Sequence, residues 1–354
     1  MSHGGDIYRN KVNIDFSVNL NPLGIQKEVM DAVSGALHNA GNYPDIRQEE
    51  VRSKIAKAWG FDKSCAYAGA GASELIMAMV REVTPKKALL YEPGFSGYEY
   101  ALKAAGCEIE KKLLSEDNGF KLTFQDAESI KEDIDMVFIC DPVNPTGANI
   151  DEDVLLRILD KVCKTGAYVC LDESFFAMSD KAGKEGLYCH SKLIKKYERL
   201  FIVRSMTKLL SMPGIRMGYV VSCPENIKKL IQQLPEWNLS SPGEAGIISG
   251  ILLAKESDFI DKTMDLISTE RRFLEDELRK LGFKVFESDT AFIFFKGPEM
   301  LYEALLEKGI MIRDCSDYTG LCKGYYRIAV KSHEDNEKLI TAMKNEKTFE
   351  EESG

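Results

Sequence analysis

Lys208 lies in Ser205-Met206-Thr207-Lys208, and Pro213-Gly214-Ile215-Arg216-Met217-Gly218 follows. A strand-like run, Leu200-Phe201-Ile202-Val203, leads into this loop. The Lys208 amine, the hydroxyls of Ser205 and Thr207 and the Arg216 guanidinium therefore fall within twelve residues. A lysine amine can condense with an aldehyde to a Schiff base and later act as a mobile acid or base. Ser205, Thr207 and Arg216 can donate to a phosphate dianion. Pyridoxal phosphate carries both groups. Alone, this pattern also fits an ordinary basic loop in a chain with 46 Lys and Arg.

Four further groups bear on that choice. Leu171-Asp172-Glu173-Ser174-Phe175 ends another strand-like run. A carboxylate there could face a pyridine nitrogen and keep it protonated, or it could cap a helix. Asp141-Pro142-Val143-Asn144-Pro145-Thr146-Gly147 is a tight loop in which Asn144 could meet the cofactor's phenolic oxygen or form a local turn. Gly69-Ala70-Gly71-Ala72-Ser73-Glu74 opens a helical pattern and could offer N–H groups to a phosphate. It is not a dinucleotide fingerprint, because Glu74 holds the last glycine position. Arg327 sits inside the apolar run Tyr325-Tyr326-Arg327-Ile328-Ala329, where a carboxylate of a substrate or of the protein is the natural partner.

These groups need a scaffold, and the middle of the chain supplies one. Short buried strands are expected at 87–91, 135–140, 167–171, 200–203 and 218–222, separated by helical stretches. In one such stretch Val154, Leu155, Ile158, Leu159 and Val162 share a face. Alternation of this kind predicts an α/β domain with a mostly parallel sheet, whose ligands sit at carboxyl ends of strands. From about residue 225 the pattern changes to a long helix near 259–281, strands at 284–287, 291–295 and 325–330, and a helix near 300–307. That predicts a smaller α+β domain formed by 1–40 and 225–354, beside a large domain of 41–224. The polar end, 345–354, is expected to fray.

The 354 residues suffice for one large and one small domain. A net charge of −10 disfavours nucleic-acid and membrane-surface partners. No run reaches a membrane span, and the first residues lack an apolar signal region. Nine cysteines without a C-x-x-C pair read as reduced thiols of a cytoplasmic protein. Four scattered histidines predict no metal site.

Taken together, the motifs resemble the fold-type I pyridoxal-phosphate enzymes, the aspartate aminotransferase superfamily, over nearly the whole chain. The resemblance implies Lys208 as the Schiff-base lysine, Asp172 at the pyridine nitrogen and Asn144 at the phenolic oxygen. It implies Ala70, Gly71, Ala72, Ser205, Thr207 and Arg216 around the phosphate. Phe95 or Tyr98, in Pro93-Gly94-Phe95-Ser96-Gly97-Tyr98, would stack on the ring. Arg327 would take the substrate carboxylate. Tyr43 would reach the phosphate from a second subunit, which implies a homodimer.

Within this family the chain is similar to L-threonine-O-3-phosphate decarboxylases of cobalamin synthesis and to histidinol-phosphate aminotransferases. The stretch Asp15-Phe16-Ser17 to Gly24, Trp237, and Ile312-Arg313-Asp314-Cys315 lean to the decarboxylases. By that resemblance His3, Asn21 and Arg313 would help hold a phosphorylated amino acid or amine. Asp141, Val143 and Ala291 depart from the family's usual residues. Asp141 in particular raises the expectation of an extra carboxylate near the substrate. A ligand-sensing regulator of this fold is disfavoured by the acidic charge and the lack of a DNA-binding module.

Overall fold

The computed structural model describes residues 4–182 and 190–353. Among these, thirteen strands run in chain order. They are β1 (Ile14–Asp15), β2 (Ala66–Gly69), β3 (Lys87–Glu92), β4 (Glu108–Leu113), β5 (Met136–Cys140), β6 (Tyr168–Asp172) and β7 (Leu200–Ser205). There follow β8 (Gly218–Val221), β9 (Lys284–Val285), β10 (Phe292–Lys296), β11 (Ile310–Met311), β12 (Arg313–Asp314) and β13 (Tyr325–Ala329).

Seven strands form the main sheet in the order β2-β8-β7-β6-β5-β3-β4. β4, β3, β5, β6 and β7 pair in parallel, while β8 runs antiparallel to both its neighbours, so the sheet is mixed. The central strands are buried on both faces, as their unbroken Val, Ile, Leu, Phe and Cys runs require. The helix Glu152–Thr165 shows how the flanking layer is specified. Asp151 caps it by accepting from the N–H groups of Asp153 and Val154, its apolar face is buried, and Gly166 ends it with φ 76°.

The smaller sheet is antiparallel, β12-β13-β10-β9, with a separate β1-β11 pair beside it. Its own core gathers Phe16, Leu274, Leu278, Phe295, Ile328 and Leu339.

Helix packing ties parts of the N- and C-terminal segments to the core around the main sheet. The helix Lys27–Ala36 lies against the helix Ser241–Glu256, and its Val29 and Val33 join the large core. The helix Pro224–Ile231 packs on Ala72–Val83. Ile14 and Phe16 pack in the core of the smaller sheet. An amphipathic helix declares a face in its sequence but not which core receives it. The helix Ser241–Glu256 and strand β4 are additions to the expected elements. Gly246 and Gly250 explain that helix's seat: a Cβ there would come 2.6 Å from Met217 Sδ and 2.5 Å from Leu210 Cδ1. The glycines let the helix close on the segment that carries Lys208. At the chain's end the backbone stays helical from His333 through Ser353, where fraying was expected.

Candidate active site

Strand register gathers the motifs. Cys140 lies opposite Asp172, Asp172 opposite Val203, Ser205 opposite Gly218, and Gly218 opposite Gly69. Four loops therefore leave the sheet side by side, at the end where parallel sheets hold ligands. A cavity of about 440 Å³ opens there, and its far wall comes from the small sheet and the N-terminal segment. Lys208, Asp172, Asn144, Phe95, Tyr98, Ala72, Ser205, Thr207, Arg216, Arg313 and Arg327 all line it.

Asp172 is almost fully buried. Its Oδ2 accepts from the Tyr98 hydroxyl at 2.8 Å, and its Oδ1 accepts from Ser174 N at 2.9 Å. Burial pushes this carboxyl above its usual range, against the pull of Ser174 and Tyr98. Lys208 is pulled down to about 8, mainly by burial, then by the cations of Arg327 and Arg216, with Asp172 opposing. An amine with that pKa is still mostly protonated near physiological pH but carries a far larger neutral, nucleophilic fraction than an ordinary lysine. Tyr98 does more than offer a ring face. It stacks on Phe138 at 5.0 Å and meets Phe95 edge-on at 5.3 Å, which sets its hydroxyl on Asp172.

One end of the cavity lies at the start of the helix Ala72–Val83, where a phosphate would fit. Ala72 and Ser73 line the cavity, and first-turn N–H groups have no intrahelical acceptor. Ala70 and Gly71 are placed otherwise than expected. Ala70 N donates to Glu74 Oε2 at 2.7 Å, and Gly71 N donates to Gly69 O at 2.7 Å, so both N–H groups are spent on the turn. Gly71 has φ 86°, and a Cβ there would meet the Arg216 guanidinium at 2.6 Å. It is glycine so that Arg216 can cross the turn. Ser205 Oγ and Thr207 Oγ1 are 2.7 Å apart and share one hydrogen. This end offers helix N–H groups, two hydroxyls and a guanidinium to a dianion.

The opposite end is cationic. Arg313 and Arg327 stand directly across from one another on β12 and β13. Like charges in that relation destabilise a sheet unless something anionic relieves them. Arg327 donates to Asn144 Oδ1 and, at 2.7 Å, to Ser17 O, while its Nε has no hydrogen-bond partner. Arg313 donates to Asp317 Oδ1 at 2.6 Å and lies 5.1 Å from the Tyr318 ring centroid.

Besides Ala70 and Gly71, the expected residues Asn21, Tyr43 and Asp141 fall outside the cavity wall, and His3 lies outside the described residues. Asn21 is a clamp. Its amide donates to Leu209 O and Thr263 Oγ1, its Oδ1 accepts from Leu23 N, and its backbone N–H bonds Lys208 O. It holds the N-terminal segment to the lysine's loop. Tyr43 is 80% exposed and packs on Trp237 at 4.8 Å, away from its own chain's cavity. Asp141 is fully buried beneath the wall, where Oδ1 accepts from Ile150 N at 2.9 Å. Burial raises it to about 6, so the carboxylate expected near the substrate is a structural group facing inward.

Ser73, Ser17, Asn19, Cys140 and Tyr318 also line the cavity without having been singled out for it. Ser73 and Cys140 adjoin residues that were. Nothing in a sequence says which side chain of an extended segment turns inward. The cavity fits pyridoxal phosphate: a dianion cradle, a buried carboxylate, an amine of lowered pKa and an aromatic wall stand around one space.

The match to known proteins agrees. Residues 11–343 match the family model "Aminotransferase class I and II". A Caldanaerobacter subterraneus protein provisionally named threonine-phosphate decarboxylase is 36% identical, over 97% of this chain and 93% of its own. The threonine-phosphate decarboxylase of Salmonella typhimurium is 29% identical, over 94% and 90%. Among solved structures, the histidinol-phosphate aminotransferase of Clostridium acetobutylicum superposes with TM-score 0.86 at 29% identity, over 95% of this chain and 99% of that one. The fold is that of the fold-type I enzymes, and the chain belongs to the class I and II aminotransferase family.

Proposed function

We propose that this protein is a pyridoxal-phosphate-dependent decarboxylase of L-threonine O-3-phosphate or a close analogue, serving cobalamin synthesis. The observation that carries the reading is the Arg313–Arg327 pair, two cations held opposite one another in the cavity wall. A phosphorylated amino acid brings two anionic groups, one for each arginine. A phosphorylated amino alcohol such as histidinol phosphate brings one. The 36% identical relative supports the same choice.

Bound pyridoxal phosphate supplies an electron sink for the bond broken at the amine-bearing carbon. The chain's residues do the rest. Ala72, Ser73, Ser205, Thr207 and Arg216 would hold the phosphate, and Asp172 would meet the ring nitrogen. Arg327, braced by Asn144 and Ser17, orients the substrate carboxylate and so selects which bond breaks. Lys208 delivers or removes the proton.

The same reading includes a homodimer in the cytoplasm. Tyr43 and Trp237 are exposed together, and Ile25, Leu37 and Ile46 are exposed large apolar residues in nearby stretches of chain. A second copy would cover this aromatic pair and receive Tyr43. The eight described cysteines are free, which supports a reducing compartment. Among the described residues no helix is long and apolar enough to cross a membrane.

The test is to incubate the reconstituted protein with O-phospho-L-threonine, without a keto acid, and follow carbon dioxide. Steady release over many turnovers is expected. No release, with amino transfer from histidinol phosphate to 2-oxoglutarate instead, would make the protein an aminotransferase.

A further inference from the structure

We infer that Lys111 is a positioning residue for the substrate end of the cavity: its ammonium ties the helix that carries Tyr98 to the loop that carries Tyr318. Lys111 lies on β4, at the edge of the main sheet and outside the cavity wall. Its Nζ donates to Glu99 Oε2 at 2.8 Å and to Thr319 Oγ1 at 2.9 Å, and Glu92 Oε1 lies 3.5 Å away. Glu99 follows Tyr98 on the helix Ser96–Ala104, and Thr319 follows Tyr318 in the loop between β12 and β13. Tyr98 and Tyr318 both line the cavity. One side chain therefore grips the residue behind each of two walls.

The large-sheet side of this strut is fixed. Glu92 is almost fully buried, and its Oε2 accepts from Gly94 N at 2.7 Å. Burial opposes a charge on Lys111, yet Glu99 and Glu92 hold its ammonium above the usual range, so it remains a donor. Two carboxylates on separate elements also remove the rotamer freedom of a long side chain. Thr319 meets a donor already in place. Within its own loop, Tyr318 N donates to Cys315 O and Leu321 N donates to Tyr318 O, each at 3.1 Å. Those bonds shape the turn but do not place it against the main sheet. Lys111 does, with Gly320 beside it. Gly320 has φ 87°, and a Cβ there would come 3.0 Å from Leu113 Cδ2. The loop closes on β4 at two successive residues.

The consequence reaches Arg313. Its guanidinium lies 5.1 Å from the Tyr318 ring centroid, and its acceptor Asp317 belongs to the same turn. A shift of the turn moves both partners of this arginine, and small misplacements of an orienting group are costly. Lys111 acts on the ligand through Tyr318 and Arg313. That Arg313 meets a phosphate or carboxylate of the substrate rests on the function proposed above.

The experiment is a double-mutant cycle on the holoenzyme, read by ligand affinity rather than turnover. Wild type, Thr319→Val, Thr319→Ser, Lys111→Met and Lys111→Met/Thr319→Val are titrated with O-phospho-L-threonine and with histidinol phosphate, and each is melted without ligand. Thr319→Val should bind the ligand about three- to tenfold more weakly, through loss of one hydrogen bond to a charged group. It should keep wild-type cofactor affinity and melting temperature, because Glu92 and Glu99 still pair with Lys111. Thr319→Ser retains the acceptor and should bind as wild type does. Adding Thr319→Val to Lys111→Met should cost little more, because the contact is already gone. Wild-type affinity in Thr319→Val, an equal loss in Thr319→Ser, or simply additive losses in the double variant would overturn the inference. The two Thr319 variants decide the matter even if Lys111→Met does not fold. If histidinol phosphate is the ligand bound and shows the same pattern, the decarboxylase reading falls and Lys111 keeps its role.

Discussion

The two ends of the cavity are built on opposite principles. At the cofactor end, opposite charges and internal donors meet on the edge of a long, deeply buried sheet. Both oxygens of Asp172 are engaged by the protein, and Lys208 stands within the influence of that carboxylate. At the substrate end, two like charges face each other across two short strands, with an unpaired Arg327 Nε and an unpaired Asn19 Oδ1. The first end is satisfied largely by the chain itself. The second is satisfied only in part: Arg313 donates to Asp317, but Arg327 Nε and Asn19 Oδ1 have no partner in the chain. Residues of the first end should therefore matter to chemistry and cofactor retention, and residues of the second to affinity, with little cost to the empty protein.

The largest break in that comparison is Lys208→Ala. It should abolish turnover and the visible absorbance of the lysine-linked cofactor, because no other amine lines the cavity among the described residues. Retained turnover would remove the basis of the whole assignment.

Next comes the substrate end. Arg327→Lys keeps a charge but loses the planar fork, so the KM for the substrate should rise by about 10- to 100-fold. Arg313→Leu should raise it similarly while changing the melting temperature of the ligand-free protein little, because relief of the like-charge pair is offset by loss of the Asp317 contact. A large fall in stability on Arg313→Leu would show that Asp317 and Tyr318 already balance this arginine, and the contrast between the ends would be lost.

The pH dependence of cofactor loading is of intermediate size. With Lys208 lowered to about 8, its neutral, nucleophilic fraction grows as pH rises through 8 rather than through 10.5. The rate at which the empty protein takes up pyridoxal phosphate should climb between pH 7 and 9, read from visible absorbance. The linked stability has a definite sign. Between pH 8 and 10.5 the unfolded chain keeps a proton on this lysine that the folded chain has released, so the group's contribution to stability rises with pH across that window. A loading profile that still climbs as steeply above pH 9 would place the lysine in water.

The smallest expected effect sharpens the cofactor end. Tyr98→Phe removes one donor from Asp172 and leaves the aromatic wall intact. The carboxyl should shift upward, and cofactor affinity should weaken by a few-fold, measured by equilibrium dialysis. An unchanged affinity would mean that Ser174 alone suffices to hold Asp172.

Much of the cofactor end was legible because its residues are tied to local signals. Lys208, Asp172 and Asn144 each follow an apolar run short enough to be a strand, and parallel sheets put such positions at one edge. Arg327 was legible as a charge inside an apolar strand. The small shifts were not legible. Whether Ala70 and Gly71, or Ala72 and Ser73, offer N–H groups depends on where the helix begins and on Glu74 folding back to take Ala70 N. Whether Asn19 or Asn21 turns to the cavity depends on Leu209 and Thr263, which lie far along the chain and capture Asn21. Asp141 was read as a group near the substrate, yet Ile150 N and burial turn it inward.

The sequence by itself determined the α/β alternation, the strand ends that carry the lysine and the carboxylate, and hence the cofactor, because periodicity and turn residues act over a few positions. Only the tertiary structure decided that Arg313 stands opposite Arg327, that Lys27–Ala36 packs on Ser241–Glu256, and that Asn19 rather than Asn21 lines the cavity. Those outcomes depend on register and on contacts between residues hundreds of positions apart, which no local pattern encodes.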